Sequence, residues 1–396
     1  MDNLFWIIRQ KNVSLHQNKI FTEMINPFTT YGYESPEYFC DRVSETAELT
    51  RLLTNGNNVA LISPRRIGKT GLIHHCFEQD SIKQQYVTIL IDIYATKSLS
   101  DLVFLMGKAI VMRLKTRGQK ALDKFLSIVT SLRTGISFDG MGNASWNINI
   151  GDINAPEFTL DEIFSYLGQS EMPCIVAIDE FQTISTYPER NVEALMRTYI
   201  QECRNAAFIF SGSQRSMMNE IFISPSRPFY QSVTIMHVGA ISVDKYVEFA
   251  QHHFDKANKK IEGQVIIDIY NKFDGVTWYV QKMLNELFSL TPAGEKCTKD
   301  DIDTALSHVI HSHADSYSDI IFQLNQSQTA ILQAIASEDK ATGITSSAFI
   351  KRHHLNSASA VQKAVSALLS KQLITTKQGT YELCDKFMSM WLTQRM

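Results

Sequence analysis

The sequence VALISPRRIGKTGL, residues 59–72, is the strongest indication of the fold of this chain. Its first four residues are apolar and suit a buried strand, and a helical pattern begins at Lys69. The turn between them ends in Gly68, Lys69 and Thr70, the order Gly-Lys-Ser/Thr that closes a phosphate-binding loop, or P-loop. Ser63 stands where the general pattern has its first glycine. The strand–loop–helix context favours a phosphate-binding loop over a Gly-Lys-Thr that arose by chance.

The residue types in this loop suit a nucleotide phosphate. Gly68 permits a tight turn in which successive backbone N–H groups face an anion, and the start of the following helix adds its positive end. We expect Lys69 to reach the β- and γ-phosphates and the Thr70 hydroxyl to ligate Mg²⁺. Arg65 and Arg66 either contact phosphates or are solvated on the loop. The expected nucleotide-binding residues of the loop are Ser63, Pro64, Arg65, Arg66, Ile67, Gly68, Lys69, Thr70 and Gly71.

A second set of candidate residues follows the apolar run at 174–178. Asp179 and Glu180 come directly after it, and a strand that delivers an aspartate at its carboxyl end suits a phosphate site. We expect Asp179 to contact Mg²⁺ through water and Glu180 to be the general base for the attacking water. A plain helix-capping Asp-Glu pair is the alternative, which the upstream loop disfavours. Lys69, Asp179 and Glu180 are thus the expected catalytic residues, and Thr70 and Asp179 the expected Mg²⁺ ligands.

The next apolar run, at 207–210, leads into Ser213 and Gln214. A polar side chain at the end of this strand is placed to report whether a γ-phosphate is bound, so Ser213 or Gln214 is the candidate for that role. A plain loop is an equal alternative.

A guanine-nucleotide site is the rival interpretation. Residues 271–274 read Asn-Lys-Phe-Asp, the guanine-reading pattern of GTPases, and residues 139–142 match Asp-x-x-Gly. Both four-residue patterns arise easily by chance. Asp139 lies in a Gly- and Asn-rich stretch rather than after a buried strand, and residues 265–273 suit a helix at least as well as a strand. ATP is therefore favoured over GTP.

Outward from these motifs, apolar runs alternate with helical patterns, which predicts a mostly parallel α/β sheet covered by helices on both faces. The Gly-, Asn- and Asp-rich stretch at 134–156 breaks the rhythm and predicts an inserted β-hairpin. After residue 240 the strands stop and amphipathic helices dominate to about 324. The tail then predicts three helices and two strands, which is the order of a winged helix-turn-helix. The strands are predicted at 58–62, 86–93, 174–178, 207–210 and 233–238, and in the tail at 373–376 and 381–383.

Composition narrows the class of protein. The chain has 396 residues, 44% of them hydrophobic and 20% charged, as in an ordinary globular protein of two or three domains. A net charge of -3 excludes a chain that is basic as a whole, although it leaves room for a local basic patch. No apolar run reaches the roughly 18 residues of a membrane span. The six dispersed cysteines suit a reducing compartment, so we expect a cytoplasmic protein without membrane contact.

The motifs together resemble the archaeal-type ATPases, a branch of AAA-related and STAND-like P-loop proteins. The resemblance covers about Met24 to the C-terminus. It rests on Asn26-Pro27-Phe28, Asp41-Arg42, the loop Pro64 to Thr70, Asp179-Glu180-Phe181-Gln182, Ser211-Gly212-Ser213 and Arg227-Pro228-Phe229-Tyr230.

The resemblance implies an α/β fold of the P-loop NTPase class, with a RecA/AAA-like parallel sheet, an α-helical lid and a C-terminal winged helix-turn-helix. The family's Gly-x-Pro motif near the adenine corresponds to Gly275-Val276-Thr277, where threonine replaces proline. Arg227 is a candidate phosphate-sensing arginine in cis or towards a neighbouring subunit, and a local ion pair is the alternative. The expected domains are an N-terminal extension at 1–23 (a flexible arm, or residues before a start at Met24), the core at 24–239, the lid at 240–324 and the winged helix at 325–396.

The tail has eight basic and four acidic residues from Asn325 on, a net charge of +4. DNA binding usually shows a denser basic stripe, so the winged helix is expected to bind either DNA or a protein, with a protein or intramolecular role favoured. The sequence as a whole predicts an ATP-hydrolysing, Mg²⁺-dependent molecular switch that binds ATP and ADP. The alternatives are an ATP-binding scaffold with negligible turnover and a DNA-acting ATPase, and the oligomeric state stays open.

Overall fold

The computed structural model describes residues 26–138, 144–146 and 153–395. Its contacts divide the chain into two compact units. The core unit comprises Thr29–Phe249 and Gly275–Tyr279, and the helical unit comprises Ala250–Asp274 and Val280–Met396 together with residues 26–28. The expected extension at 1–23 lies outside the described residues, and the boundaries expected at 239/240 and 324/325 stay predictions.

The core unit alternates strands with helices, as the apolar runs predict. In chain order its elements are α1 (Val43–Thr54), β1 (Val59–Ile62), α2 (Lys69–Phe77), α3 (Asp80–Lys83), β2 (Val87–Asp92), α4 (Leu99–Lys115), α5 (Gln119–Ile128), β3 (Ile136–Phe138), β4 (Ala144–Trp146), α6 (Pro156–Gln169), β5 (Cys174–Asp179), α7 (Val192–Glu202), β6 (Ala206–Gly212), α8 (Arg215–Ile223) and β7 (Thr234–His237). Short 3-10 helices lie at Pro36–Tyr38, Thr130–Gly135 and Phe181–Thr186, and the boundary between the units falls within α9 (Val243–Lys256).

The central sheet has five parallel strands in the order β2-β5-β6-β1-β7. The strand β6 lies between β1 and β5, so that Ile62 pairs with Gly212 and Ile178 pairs with Phe210. On the far side of β5, Asp179 pairs with Asp92 of β2. The carboxyl ends of β1, β6 and β5 therefore meet at one edge of the sheet, where the loops that follow them form a site.

Both faces of this sheet are buried, which explains why its strands are apolar without a polar alternation. Within β1, Ala60 and Ile62 belong to one hydrophobic cluster, and Val59 and Leu61 belong to a second. The first cluster contains buried side chains of α4 to α8, and the second contains buried side chains of α1, α2 and α3. The predicted α/β sheet with helices on both faces is confirmed.

The inserted hairpin predicted at 134–156 is present in its described part. Strands β3 and β4 pair antiparallel, with Ile136 opposite Trp146. Residues 139–143 and 147–152 of this stretch lie outside the described residues.

The helical unit begins its own elements after α9. In chain order they are β8 (Lys260–Ile261), α10 (Gly263–Lys272), α11 (Thr277–Leu290), β9 (Lys296–Cys297), α12 (Asp301–Phe322), α13 (Gln326–Glu338), β10 (Ala341–Thr342), α14 (Ser347–Arg352), α15 (Ala358–Ser370), β11 (Ile374–Lys377), β12 (Thr380–Leu383) and α16 (Lys386–Thr393). The first turn of α11 belongs to the core unit. The expectation that strands stop at residue 240 is corrected by the parallel two-residue pair β8 and β9, which is too short to show an apolar alternation.

The Asn-Pro-Phe sequence at 26–28 packs inside the helical unit. Asn26 donates to the carbonyl of Asn285 at 2.8 Å, and the Asn285 amide donates back to the carbonyl of Phe28 at 2.8 Å. The Phe28 ring is fully buried beside Phe254 and Phe288, each with its ring centre 5.7 Å away. The family signature at these positions is thus a packing feature.

The predicted winged helix is confirmed: α13, α14 and α15 precede the β11–β12 hairpin, and β10 adds a third strand. The helices begin at side-chain caps on Asn325, Ser346 and Ser357, with a full capping box at Asn325. The additional helix α16, capped by Asp385, was not predicted from the sequence. In the described ranges, no helix is both long enough and apolar enough to cross a bilayer.

Candidate functional site

The loop between β1 and α2 lies at the carboxyl edge of the central sheet. Ser63 is fully buried at the end of β1. Two residues of the loop, Arg66 and Gly68, have positive φ values of 66° and 95°. Glycine adopts this left-handed region freely, whereas an arginine pays a conformational cost there, so other contacts must hold Arg66 in place.

Lys69 extends back over the loop from the first turn of α2. Its ammonium donates to the carbonyls of Pro64 at 3.2 Å and Ser63 at 3.5 Å, and the residue is only 6% exposed. Burial lowers the Lys69 pKa, while the charges of Glu180 and Asp179 act to raise it. A phosphate near this buried cation would meet stronger electrostatic attraction than at an exposed lysine.

Thr70 and Asp179 are brought together from α2 and the end of β5. The Thr70 hydroxyl donates to Asp179 Oδ2 at 2.6 Å. A hydroxyl and a carboxylate are hard oxygen donors of the kind that Mg²⁺ prefers, so these residues fit the metal that the loop implies. Among the described residues, no group of three His, Cys, Asp or Glu side chains could hold a metal by itself. That agrees with the way Mg²⁺ usually binds, through one or two protein ligands and the phosphates of a substrate.

Glu180 lies next to Asp179 in a left-handed backbone conformation, with φ of 56°. Its Oε2 atom accepts from the Gln182 side-chain amide at 2.5 Å and from the Ser213 hydroxyl at 2.7 Å. The Arg65 guanidinium donates to the same Ser213 hydroxyl at 3.3 Å. The carboxylate is thus held by two donors, and the structure brings together four side chains that come from three loops.

Gln182 is a site residue whose role sequence reasoning missed, although its letters were part of the Asp-Glu-Phe-Gln motif. It is 2% exposed and lies against Gly212, where an added Cβ would be 2.5 Å from Gln182 Oε1. The sequence shows only that Gln182 is polar. It does not show that the side chain is buried, because its neighbour Gly212 is distant in the chain.

Asp92 is a further carboxylate that was not predicted. It ends β2 directly opposite Asp179. Partial burial raises the Asp92 pKa, and the nearby charges of Asp179 and Glu180 raise it further, against a backbone hydrogen bond from Tyr94. The signal was present, because Asp92 follows the apolar run of β2 as Asp179 follows that of β5.

Arg42 also contributes to the site without having been predicted to do so. Its side chain is 2% exposed and donates to the carbonyls of Ile67 at 3.0 Å and Gly239 at 2.7 Å. A third donation goes to Glu45 at 2.6 Å. A buried guanidinium with all these partners ties the loop after β1 to the loop after β7.

The segment with Gly275 also contacts the loop after β1. Gly275 is buried with φ of 66°, and the Thr277 hydroxyl donates to the carbonyl of Ile67 at 2.9 Å. The backbone N–H of Trp278 donates to the carbonyl of Arg66 at 3.0 Å. Of the residues that the resemblance implies near the adenine, Thr277 therefore contacts the loop after β1 directly, and Gly275 lies two residues before it in the chain.

Arg227 has local carboxylate partners. It pairs with Glu193, lies 3.4 Å from a carboxylate oxygen of Glu220 and donates to the Ser185 hydroxyl at 3.1 Å. These contacts correspond to the local ion pair that was the alternative to a phosphate-sensing role.

The guanine-reading pattern lies on a helix. Residues 271–274 span the end of α10, as the helical pattern predicts, and not the end of a strand. Asp274 is engaged in ion pairs with Lys386 and Lys340. Residues 139–142 lie outside the described residues.

Family models match both parts of the chain. A model described as an ATPase domain predominantly from Archaea matches residues 39–283, and one described as a probable winged helix domain matches residues 315–394. The first spans more than half of the 396 residues, so the chain belongs to this archaeal-type ATPase family. The family that the motifs resemble is thereby confirmed.

Solved structures agree with the fold. The Walker-type ATPase paby2304 of Pyrococcus abyssi is similar with a TM-score of 0.61 and 18% identity over 93% of this chain and 99% of that one. The ORC2 protein of Aeropyrum pernix, in ADPNP–ADP complexes, has a TM-score of 0.50 and 14% identity over 94% of this chain and 98% of that one. The ORC1 protein of Aeropyrum pernix, in complex with DNA, has a TM-score of 0.51 and 10% identity over 91% of this chain and 94% of that one. At these identities the likeness concerns the fold. No curated protein matches the chain significantly.

Proposed function

We propose that this protein binds ATP with Mg²⁺ and hydrolyses it, and that the nucleotide state sets the arrangement of the helical segment at 240–324 and the winged helix at 325–396. The observation that carries the proposal is the 2.6 Å contact between Thr70 and Asp179 beside the buried ammonium of Lys69. Two loops at the carboxyl edge of the sheet thereby bring a cation and two hard oxygen donors close together. The solved relatives include one with bound ADPNP and ADP.

In this proposal, phosphate binding, metal binding and base catalysis fall to different residues of the chain. Lys69 and the backbone N–H groups of residues 65–70 bind the phosphates, and Thr70 with Asp179 holds Mg²⁺. The metal supplies charge neutralisation on the phosphate oxygens. Glu180 takes the proton of the attacking water as general base.

Ser213 links the general base to the loop. Its hydroxyl bonds Glu180, and Arg65 bonds the same hydroxyl, so a change at the phosphate end of the loop reaches the base through two hydrogen bonds. This supports Ser213, rather than Gln214, as the side chain that responds to the γ-phosphate. The ATP-binding scaffold with negligible turnover remains the competing function, and it differs only in what Glu180 does.

Steady-state phosphate release tests the proposal. We expect Lys69→Ala to lose both nucleotide binding and hydrolysis, because it removes the cation that meets the phosphates. Glu180→Gln should keep binding and lose hydrolysis by a factor of about 10² to 10⁴, the usual contribution of a general base. Lys108 on α4 and Glu202 on α7 are exposed. Lys108→Ala and Glu202→Gln are therefore matched controls that should leave nucleotide binding and hydrolysis unchanged.

The outcomes separate the functions. Binding without turnover in the wild type, with Glu180→Gln indistinguishable from it, establishes the scaffold. Turnover that persists in Glu180→Gln contradicts the assignment of the base. An absence of nucleotide binding in the wild type contradicts the proposal as a whole.

For the winged helix we propose a protein partner. Three of the eight basic residues of the tail are already paired with carboxylates: Lys340 and Lys386 with Asp274, and Arg352 with Glu338. On α15, which would face a groove in a DNA complex, Lys363 is exposed among serine and glutamine side chains. Too few free cations are left for strong phosphate-driven binding.

Duplex DNA is the alternative, favoured by the solved relative in complex with DNA. Anisotropy titrations of a labelled duplex at about 50 and 200 mM salt decide between them. We expect weak binding that Lys363→Glu does not change. Tight binding that falls steeply with salt and is lost in Lys363→Glu would contradict the protein partner and establish DNA.

A further inference from the structure

The sequence predicts that Arg66 either contacts phosphate or is solvated on the loop, and the structure places its half-buried side chain against two aromatic rings. Its guanidinium lies over the Trp278 ring at 4.5 Å and over the Tyr279 ring at 5.0 Å, measured to the ring centres. It also donates a hydrogen bond to the Tyr279 hydroxyl. These aromatic residues form the first turn of α11, within the core unit.

The backbone around Arg66 is held by the same turn. The Trp278 N–H donates to the carbonyl of Arg66 at 3.0 Å. The next carbonyl, that of Ile67, accepts from the Thr277 hydroxyl at 2.9 Å and from Arg42 at 3.0 Å. Two successive carbonyls of the loop are thus held by hydrogen bonds from Thr277, Trp278 and Arg42.

Peptide planarity turns these contacts into a constraint on phosphate binding. In a trans peptide the carbonyl of one residue and the N–H of the next point in opposite directions. Holding the carbonyls of Arg66 and Ile67 therefore fixes the directions of the Ile67 and Gly68 N–H groups, which are donors of the phosphate loop. The left-handed conformation of Arg66 requires external support, because its backbone alone disfavours it.

We propose that Arg66 is a positioning residue: its side chain, clamped by Trp278 and Tyr279, holds the phosphate loop against the first turn of α11 in its binding-competent shape. This inference rests on the proposed nucleotide-binding function and assigns Arg66 a role other than contact with phosphate. Thr277 belongs to the same clamp, since its hydroxyl supplies a hydrogen bond that a proline at this position has no group to make.

The neighbouring arginine provides the contrast. Arg65 is exposed, donates to the Ser213 hydroxyl at 3.3 Å and lies 5.9 Å from the centre of the Tyr94 ring. The two arginines carry the same charge and are adjacent in the chain, yet one faces the Glu180 side of the site and the other faces α11. Removing each charge in turn therefore separates simple attraction of phosphate from positioning.

The test is a double-mutant cycle on ATP affinity, measured by titration of a fluorescent ATP analogue with the full chain. We expect Arg66→Met to weaken binding by about tenfold, the scale of a partly buried cation–π and hydrogen-bonded contact. Tyr279→Phe should weaken it by about threefold to tenfold through the lost hydrogen bond. The double variant should be no weaker than Arg66→Met alone, because both changes remove one interaction. Arg65→Met should weaken binding less than Arg66→Met does.

Hydrogen exchange of the nucleotide-free protein is a second measurement, which does not depend on binding. Arg66→Met and Tyr279→Phe should speed exchange of the Trp278 amide, whereas Arg65→Met should not. Tyr279→Phe retains the ring, so it reports on the clamp even if Arg66→Met folds poorly.

The results overturn the proposal if Arg66→Met and Arg65→Met weaken binding equally and the cycle is additive, since Arg66 would then act through its charge. Unchanged exchange of the Trp278 amide in both clamp variants overturns it as well. A wild-type protein that binds no nucleotide contradicts the proposed function instead, and the exchange measurement still decides whether the clamp holds the loop.

Discussion

Gly212, the last residue of β6, lies against side chains that connect it to Glu180, the proposed general base. A Cβ added there would lie 2.3 Å from the Met218 sulfur and 2.5 Å from Gln182 Oε1. Gln182 in turn donates to Glu180. The absence of a side chain at residue 212 therefore allows Gln182 to reach the carboxylate.

Replacing this glycine should affect stability and turnover together. We expect Gly212→Ala to destabilise the protein by about 1–3 kcal/mol through overpacking, and to lower kcat by displacing the Gln182 amide from Glu180. Urea unfolding and phosphate release measure the two effects.

Gly168, near the end of α6, is the matched control, because an added Cβ there meets no atom within 4 Å. Gly168→Ala should stabilise the protein by about 0.5–1 kcal/mol and leave kcat unchanged, since alanine is the better helix former. A Gly212→Ala protein as stable and active as the wild type would show that the neighbouring side chains yield without cost.

At the scale of elements, the 3-10 helix Thr130–Gly135 leads into the inserted hairpin and is anchored to α6 by one carboxylate. Glu162, 7% exposed, accepts from the N–H and hydroxyl of Thr130 at 3.0 and 2.6 Å. It also accepts from the N–H of Ser131 at 3.1 Å and from the Ser131 hydroxyl. A buried carboxylate is tolerable here because four donors replace its water.

We expect Glu162→Gln to cost about 1–3 kcal/mol in the free energy of unfolding, because the new NH₂ group faces donors that need an acceptor. The change Glu157→Gln on the exposed surface of the same helix is the control and should stay within about 0.5 kcal/mol. Urea unfolding of both variants is the measurement. Equal stability of the two variants would mean that water or other groups satisfy the four donors.

At the scale of the whole molecule, all proposed nucleotide-site residues lie in the core unit, including Gly275. They are contributed by the loops after β1, β5 and β6 and by a segment that returns to the core unit from the helical unit. A ligand at this site should therefore stabilise the core unit first.

We expect ATP with Mg²⁺, at about 100 times its dissociation constant, to stabilise the protein by about 2.7 kcal/mol. For a unit of this size the Tm should rise by about 5–10 °C, measured by calorimetry. The shift should be smaller with EDTA, since Thr70 and Asp179 then hold no metal, and absent in Lys69→Ala. An equal shift with and without Mg²⁺ would contradict the assigned metal ligands.

Much of the candidate site could be predicted because several of its residues belong to short patterns of neighbouring residues. Lys69 and Thr70 follow directly from Gly68 at a helix start, and Asp179 and Glu180 follow from the apolar run before them. Asp92 has the same signal at the end of β2 but lacked a partner motif. The sequence could not place Gln182, because its close approach to Gly212 joins two separate loops. It could not place Arg42 either, because the Ile67 and Gly239 carbonyls that it binds lie in loops distant in the chain.

The alternation of strands and helices, the loop after β1, the pair Asp179 and Glu180 and the winged helix are all predictable, since each depends on hydrophobic periodicity or on neighbouring residues. Which side chains meet depends instead on the folded chain. The parallel order β2-β5-β6-β1-β7 brings Thr70 to Asp179, and the return of the chain at Gly275–Tyr279 brings Trp278 to Arg66. Such contacts join residues more than a hundred positions apart, and no local pattern specifies them; packing of the complete chain does.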